Sequence, residues 1–227
     1  MVLFISCKEE YKTQIVMTTE KVESIEIGLL GSWGNAKIDW GNGTTINSSD
    51  LWSLPKYFKN NYSDKINHTI TINGSKLNTI KGLVCFNNQI TSLNISNCPK
   101  LETLDVLKNN LNDIDVRKNS ELTMLNCTWN KLKILDVTNN TLLENLSCEN
   151  NQLKSLNLLK NTKLNSVFLR SNQLNTNQLN LLFETLHNNK ISNKTIYIGG
   201  NPGTEKCNKS IAKNKGWIID VEPVEFK

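Results

Sequence analysis

Between residues 80 and 175 the apolar positions follow a fixed rhythm. Leu83, Cys85, Ile90, Leu93 and Ile95 return 21 residues later as Leu104, Val106, Leu111, Ile114 and Val116, and again as Leu125, Cys127, Leu132, Leu135 and Val137. Four successive units share the register, over 80–100, 101–121, 122–142 and 143–163, and a fifth begins at Leu164. Each unit has two similar halves. Triplets such as Leu125-Asn126-Cys127 and Leu135-Asp136-Val137 put their outer residues inward and the middle one outward, which predicts a short strand in each half. One unit has too few apolar side chains to enclose a core, so the units must stack into a solenoid.

Polar columns run through the same register. Asn88, Asn109, Asn130, Asn151 and Asn172 follow the first triplet, where the chain turns inward and strands its backbone N–H and C=O groups. A buried amide both donates and accepts, so stacked Asn side chains can satisfy those groups turn after turn. A second column reads Cys98, Asn119, Asn140 and Asn161. A third, Asn94, Asp115, Asp136 and Asn157, should face solvent, with Arg117, Lys118 and Lys160 close enough in register to neutralise its carboxylates.

These units resemble leucine-rich repeats of the 21-residue, doubled half-repeat type, LxxLxCxxNxLxxLDVxxNxx, common in surface lipoproteins of gut and oral anaerobic bacteria. The resemblance extends to both flanks. Upstream, residues 36–44 read as a strand entering a tight turn and 68–74 as an alternating strand. With Asn61-Tyr62-Ser63 they look like a small PKD-type β-sandwich, although Asn42 stands where that pattern has Asp and Asn61 where it has Thr. Asp39 and Asn42 are read as turn formers. Downstream, the apolar spacing predicts a helix over 176–187 capped by Thr176, with Leu179, Leu182, Phe183 and Leu186 on one face. A strand follows at 196–198 with Asn201 behind it, then a second helix over 205–214 ended by Gly216, with Cys207 beneath it, and a last strand at 217–221. This segment resembles the NPG…IA…KGW cap of the same proteins.

The fold expected is mainly β with some α. A small sandwich (11–76) is followed by a leucine-rich-repeat solenoid (77–175) and an α/β cap (176–227), behind a short leader (1–10). In that leader Val2-Leu3-Phe4-Ile5-Ser6-Cys7 resembles the tail of a bacterial lipoprotein signal. The resemblance implies acylation at Cys7 and placement on the outer face of the outer membrane.

Composition narrows function further. At 38% hydrophobic, the chain is lean for one dense core, and its net charge of +5 is spread without a basic run, which gives no case for nucleic acid. No stretch approaches the length of a membrane-spanning helix. The N-x-[ST] matches at Asn47, Asn61 and Asn67 are what an Asn-rich sequence produces by chance. Six cysteines suggest a disulfide framework, but Cys85, Cys127 and Cys148 fall in the inward column that Val106 and Leu169 also occupy. A nucleophile or metal ligand is not interchangeable with Val. Neither His68 nor His187 has an evident partner, and no C-x-x-C, H-E-x-x-H or phosphate loop is present. The sequence therefore points to a non-enzyme with no cofactor and no metal.

Binding remains. The columns facing out from the first triplets collect Phe86, Leu107, Trp129 and Phe168, with Glu149 and Arg170 toward the C-terminal end. An aromatic cluster of this kind predicts a recognition surface for a protein ligand on a monomer tethered to the membrane only by its lipid. The alternatives are a glycan-binding component of a nutrient-uptake system, in which Trp129 or Phe168 stacks on sugar, and a structural spacer.

Overall fold

The computed structural model describes residues 14–21, 23–32, 34–48, 56–64 and 66–222; Cys7 lies outside them. Six strands precede the repeats: β1 (Gln14–Thr19), β2 (Ser24–Gly31), β3 (Ala36–Asp39), β4 (Thr45–Ser48), β5 (Lys56–Asn61) and β6 (His68–Gly74). Their alternation is what forms them: Ile15 and Met17, Ile25, Ile27 and Leu29, and Ile70 and Ile72 all point inward and are fully buried. β3 and β4 form a hairpin whose turn is made as expected, with Asp39 and Asn42 side chains accepting the N–H groups of Gly41 and Thr44. Gly41 is required there, since φ is +74° and a Cβ would meet the Thr69 carbonyl oxygen at 2.5 Å.

These strands do not stop at the first repeat. β2 pairs antiparallel with β7 (Ile80–Val84), and β1 pairs antiparallel with β8 (Ile90–Asn94). One sheet has the order β4-β3-β6-β1-β8. The other runs β5-β2-β7 and continues through five parallel three-residue strands and a terminal one: β9 (Thr103–Asp105), β10 (Met124–Asn126), β11 (Asn145–Ser147), β12 (Ser166–Phe168), β13 (Thr195–Tyr197) and β14 (Ile218–Asp220). Successive strands are in register by one unit: Val84 lies beside Asp105, then Asn126, Ser147, Phe168, Tyr197 and Asp220. Leu83, Leu104, Leu125, Leu146, Val167 and Ile196 form the inward row, each fully buried, and one apolar core runs through strands and repeats alike.

The second half-repeats differ from expectation. Apart from β8, triplets such as Leu135-Asp136-Val137 form no strand. Neighbouring turns are tied on that side by isolated backbone bonds, Lys131 N–H to the Leu111 carbonyl and Gln152 N–H to that of Leu132. The Asn side chains of the second column supply the other links. A ladder needs consecutive pairing along two strands, and one bond per turn is too few.

The C-terminal helices are shorter than the sequence suggests. α1 spans Thr176–Thr185, and its cap is Asn175, not Thr176: the Asn175 side chain accepts the Gln178 N–H at 3.0 Å. Leu179, Leu182 and Phe183 are buried on one face. Leu186 is extended, so the helix stops before His187. α2 is a single turn, Ser210–Lys213; the residues ahead of it form turns. Gly216, at φ +78°, ends it, and Trp217 is buried behind. Cys207 is buried and its thiol bonds the Thr204 carbonyl. Among the described residues no helix is long and apolar enough to cross a membrane.

Candidate recognition face

What holds the face rigid is the first Asn column. Asn109 donates to the carbonyls of Cys85 and Val106, both at 2.9 Å, while its oxygen accepts the N–H groups of Asn88 and Ile90. Asn130, Asn151 and Asn172 repeat the donation one turn along each, and Asn201 closes the series after the longer unit. Asn88, which starts it, grips β2, bonding both backbone groups of Glu26. The second column works differently. Asn119 donates to Ile95 and Cys98, and Asn140 and Asn161 follow suit, but their oxygens find no partner among the described residues. A donor alone suffices there, which is why Cys98 fits in the series.

The cysteines are scaffold. All five described are free and buried. Burial pushes the Cys98 thiol up to about 12 and raises Cys85, while contact with Cys127 and burial raise Cys148. A buried thiol kept protonated is no nucleophile. The histidines, without evident partners in the sequence, are in fact engaged. His68 stacks on Tyr62 and bonds Asp64 at 2.6 Å. His187 accepts the Asn189 N–H at Nδ1, so Nε2 carries the proton it gives to the Leu164 carbonyl at 2.8 Å. The Asp column is also structural. Asn94, Asp115, Asp136 and Asn157 each accept the N–H two residues on, so they are turn formers first. Asp115 is held down to about 2 by the Arg117 guanidinium and N–H, the neutralisation its register suggests.

The outward side of the long sheet carries the residues singled out for binding, in unequal states. Phe86 and Trp129 are exposed, at 47% and 40%. Leu107 is half-buried between their turns, and Thr128, in the column of Phe86, is buried. Phe168 and Tyr197 stack with centroids 4.4 Å apart, and Arg170 lies over Tyr197 at 4.6 Å. Arg170 also pairs with Asp220 at 2.9 Å and Glu149 at 3.3 Å and donates to the Glu222 carbonyl. Glu149, Phe168 and Arg170 are thus half-buried and satisfied by one another and the last strand, unlike the open surface expected of them. Of the six residues, Phe86 and Trp129 are the ones open to solvent.

Two features lay beyond sequence reasoning. Asn87, Lys108, Trp129, Asn150 and Ser171 all take left-handed backbone angles, φ 53° to 58°, and Gly200 takes the same place at 73°. The N–H of each of the five non-glycine residues bonds a carbonyl one turn on, Trp129 to Glu149 for instance. Left-handed geometry suits Gly and Asn and strains Trp. The other feature is Tyr57 on β5, 49% exposed, which with Phe86 flanks a cleft of about 220 Å³ beside Lys21. The alternation of Tyr57 and Lys59 around buried Phe58 is the signal that marks this strand.

No protein-family model and no curated protein matches the sequence. Solved structures do. Internalin InlF from Listeria monocytogenes superposes with a TM-score of 0.51 at 24% identity, over 61% of this chain and 40% of that one. The functional domain of InlJ from the same organism, described as including a cysteine ladder, gives 0.45 at 25% identity, over 63% of this chain and 35% of that one. Internalin C2 gives 0.39 at 18%. The matched region is thus well under half of the first two proteins. The likeness to InlF is one of fold, that of a leucine-rich-repeat solenoid.

Proposed function

We propose that the chain is a non-catalytic recognition protein of a bacterial surface, binding a protein ligand through the outer side of its long sheet with Phe86 and Trp129 as anchors. The observation that carries this reading is Trp129. Its left-handed turn position favours Gly or Asn, which other turns supply as Asn87, Asn150 and Gly200, while Lys108 and Ser171 hold it in two more. A bulky aromatic there carries backbone strain, and strain of this kind collects at functional sites. The ladder behind it supports preorganised binding, since the strands hold their side chains at fixed spacing before any partner arrives. Leu107 lies between the anchors, and the Glu149–Arg170–Phe168 network bounds the face at its C-terminal side.

On the same reading Cys7 bears a lipid that holds the protein at the outer membrane, residues 11–76 are a PKD-like unit, and 176–227 cap the repeats. The protein works as a monomer, in adhesion or a related contact. The test is a pull-down with the folded protein from residue 14 onward, comparing wild type with Trp129→Asn and Phe86→Ala. Both variants should lose the captured partner while melting as wild type does. Full capture by both would place recognition elsewhere. Acyl labelling that persists in Cys7→Ala would refute the anchor.

A further inference from the structure

The hairpin turn between β3 and β4 brings together groups whose chemistry goes beyond making the turn. The chain has two Asn-Gly pairs, Asn42-Gly43 in this turn and Asn73-Gly74 in β6. In such a pair the Gly nitrogen can close on the Asn side-chain carbonyl, because Gly places no Cβ against the five-membered ring that forms. The two pairs stand in opposite surroundings. Asn73 is paired on both sides, with Gln14 of β1 and Lys37 of β3, and Gly74 is buried, so the backbone there is held extended. Asn42 and Gly43 are both exposed.

Three features of the turn favour ring closure at Asn42. Gly43 lies at φ +86° with no atom within 4 Å of where a Cβ would stand, so the ring has room. The Gly43 N–H and the Asn42 side-chain nitrogen, nucleophile and leaving group, make no hydrogen bond among the described residues. The Asn42 side-chain oxygen, by contrast, accepts two donors, the Thr44 N–H at 3.1 Å and the Thr44 hydroxyl at 2.6 Å. Both withdraw electrons from Cγ and stabilise the negative charge that this oxygen gains under attack. They also draw the side chain across Gly43, which brings Cγ toward the attacking nitrogen. Upstream the turn is anchored, with Asp39 accepting the Gly41 N–H at 2.9 Å and Gly41 packed on Thr69.

We propose that Asn42 is a site of self-modification, deamidating in the folded protein with Thr44 as its positioning residue. The Gly43 nitrogen gives its proton to hydroxide and bonds to Asn42 Cγ. The Cγ–Nδ2 bond then breaks, and the nitrogen takes a proton from water and leaves as ammonia. Water opens the cyclic imide at either carbonyl, leaving aspartate or isoaspartate at position 42. One water enters and one ammonia departs, with no oxidant or reductant. The turn gains a carboxylate close to that of Asp39, and the isoaspartyl product adds a methylene to the backbone and loosens the hairpin. The hairpin belongs to the sheet β4-β3-β6-β1-β8, not to the one that carries Phe86 and Trp129, so the proposal stands apart from the recognition reading.

The test is incubation of the full chain at mildly alkaline pH, folded and in urea. Mass spectrometry of its peptides and labelling by an isoaspartyl methyltransferase follow both sites. In the folded protein Asn42 should convert while Asn73 stays intact, and in urea both should convert. Thr44→Val should slow folded Asn42 by about threefold or more, less than the roughly hundredfold lost with a buried oxyanion donor, because water competes at an exposed turn. Thr44→Ser keeps the hydroxyl and should convert as wild type does. Folded wild type decides the site without any variant: Asn42 intact there while the urea-unfolded chain converts would overturn the proposal. Conversion of Asn73 alongside Asn42 in the folded protein would overturn it too. A Thr44→Val rate equal to that of wild type would remove Thr44 from it, provided the melting curves coincide.

Discussion

Trp129 and Gly200 occupy equivalent places in their turns, both left-handed at φ 58° and 73°, although one is the largest residue and the other the smallest. The backbone asks for Gly and the solenoid carries Trp. Left-handed geometry costs a side chain with a Cβ about 1–2 kcal/mol, and Asn bears less of that cost than others do. Trp129→Asn should therefore melt within a few degrees of wild type, relief of strain offsetting the loss of ring contacts. A fall in Tm well beyond that would mean the indole is structural.

The two Asn columns should respond differently to mutation. Asn109 satisfies four buried backbone groups, two by donation and two by acceptance. Asn109→Ala should cost about 2–4 kcal/mol, from backbone groups left unpaired at about 1–3 kcal/mol each. Asn119 only donates, and Cys98 fills the equivalent place one turn earlier. Asn119→Cys should cost roughly half as much or less. Urea unfolding measures both, and equal losses would contradict the donor-only account.

Cys127 lies in a row that Val106 shares, and its thiol reaches the Ser147 carbonyl at 3.5 Å. Cys127→Val should change stability by less than about 1.5 kcal/mol and leave binding untouched. In the native protein the described thiols should resist a thiol reagent and react once urea unfolds the chain. Rapid native labelling of Cys127 would reopen a chemical role.

The cap should be sensitive to acid through His187. Burial lowers its pKa below the ordinary 6.5, and Nδ1 already accepts the Asn189 N–H, so a second ring proton has nowhere to go. Because the folded pKa is the lower one, the unfolded chain binds the proton more readily. The neutral ring's contribution is whole above pH 6.5 and is lost as pH falls from there toward the depressed folded value. The Tm of wild type should drop over that window, and that of His187→Gln should drop less. Identical pH profiles would exclude His187 as the source.

The repeats were legible because each inward position is fixed by one physical demand. Leu83 to Ile196 must be apolar, and Asn88 to Asn172 must both donate and accept, so the period and both ladders could be read from residue identity. The left-handed column was not legible: Asn, Lys, Trp, Asn and Ser share no side-chain chemistry, only a backbone angle. The pairing of β2 with β7 depends on which edges meet across the chain, and no local pattern encodes that. The same holds for Tyr57, whose place beside Phe86 follows from that pairing. Arg170 read as an exposed charge because its partner Asp220 lies 50 residues away.

The central claim is that recognition runs through Trp129, and the most direct measurement is capture of the partner by wild type and by Trp129→Asn at a temperature where both are folded. The account predicts that capture is lost while the melting curves coincide. Undiminished capture by Trp129→Asn would contradict it.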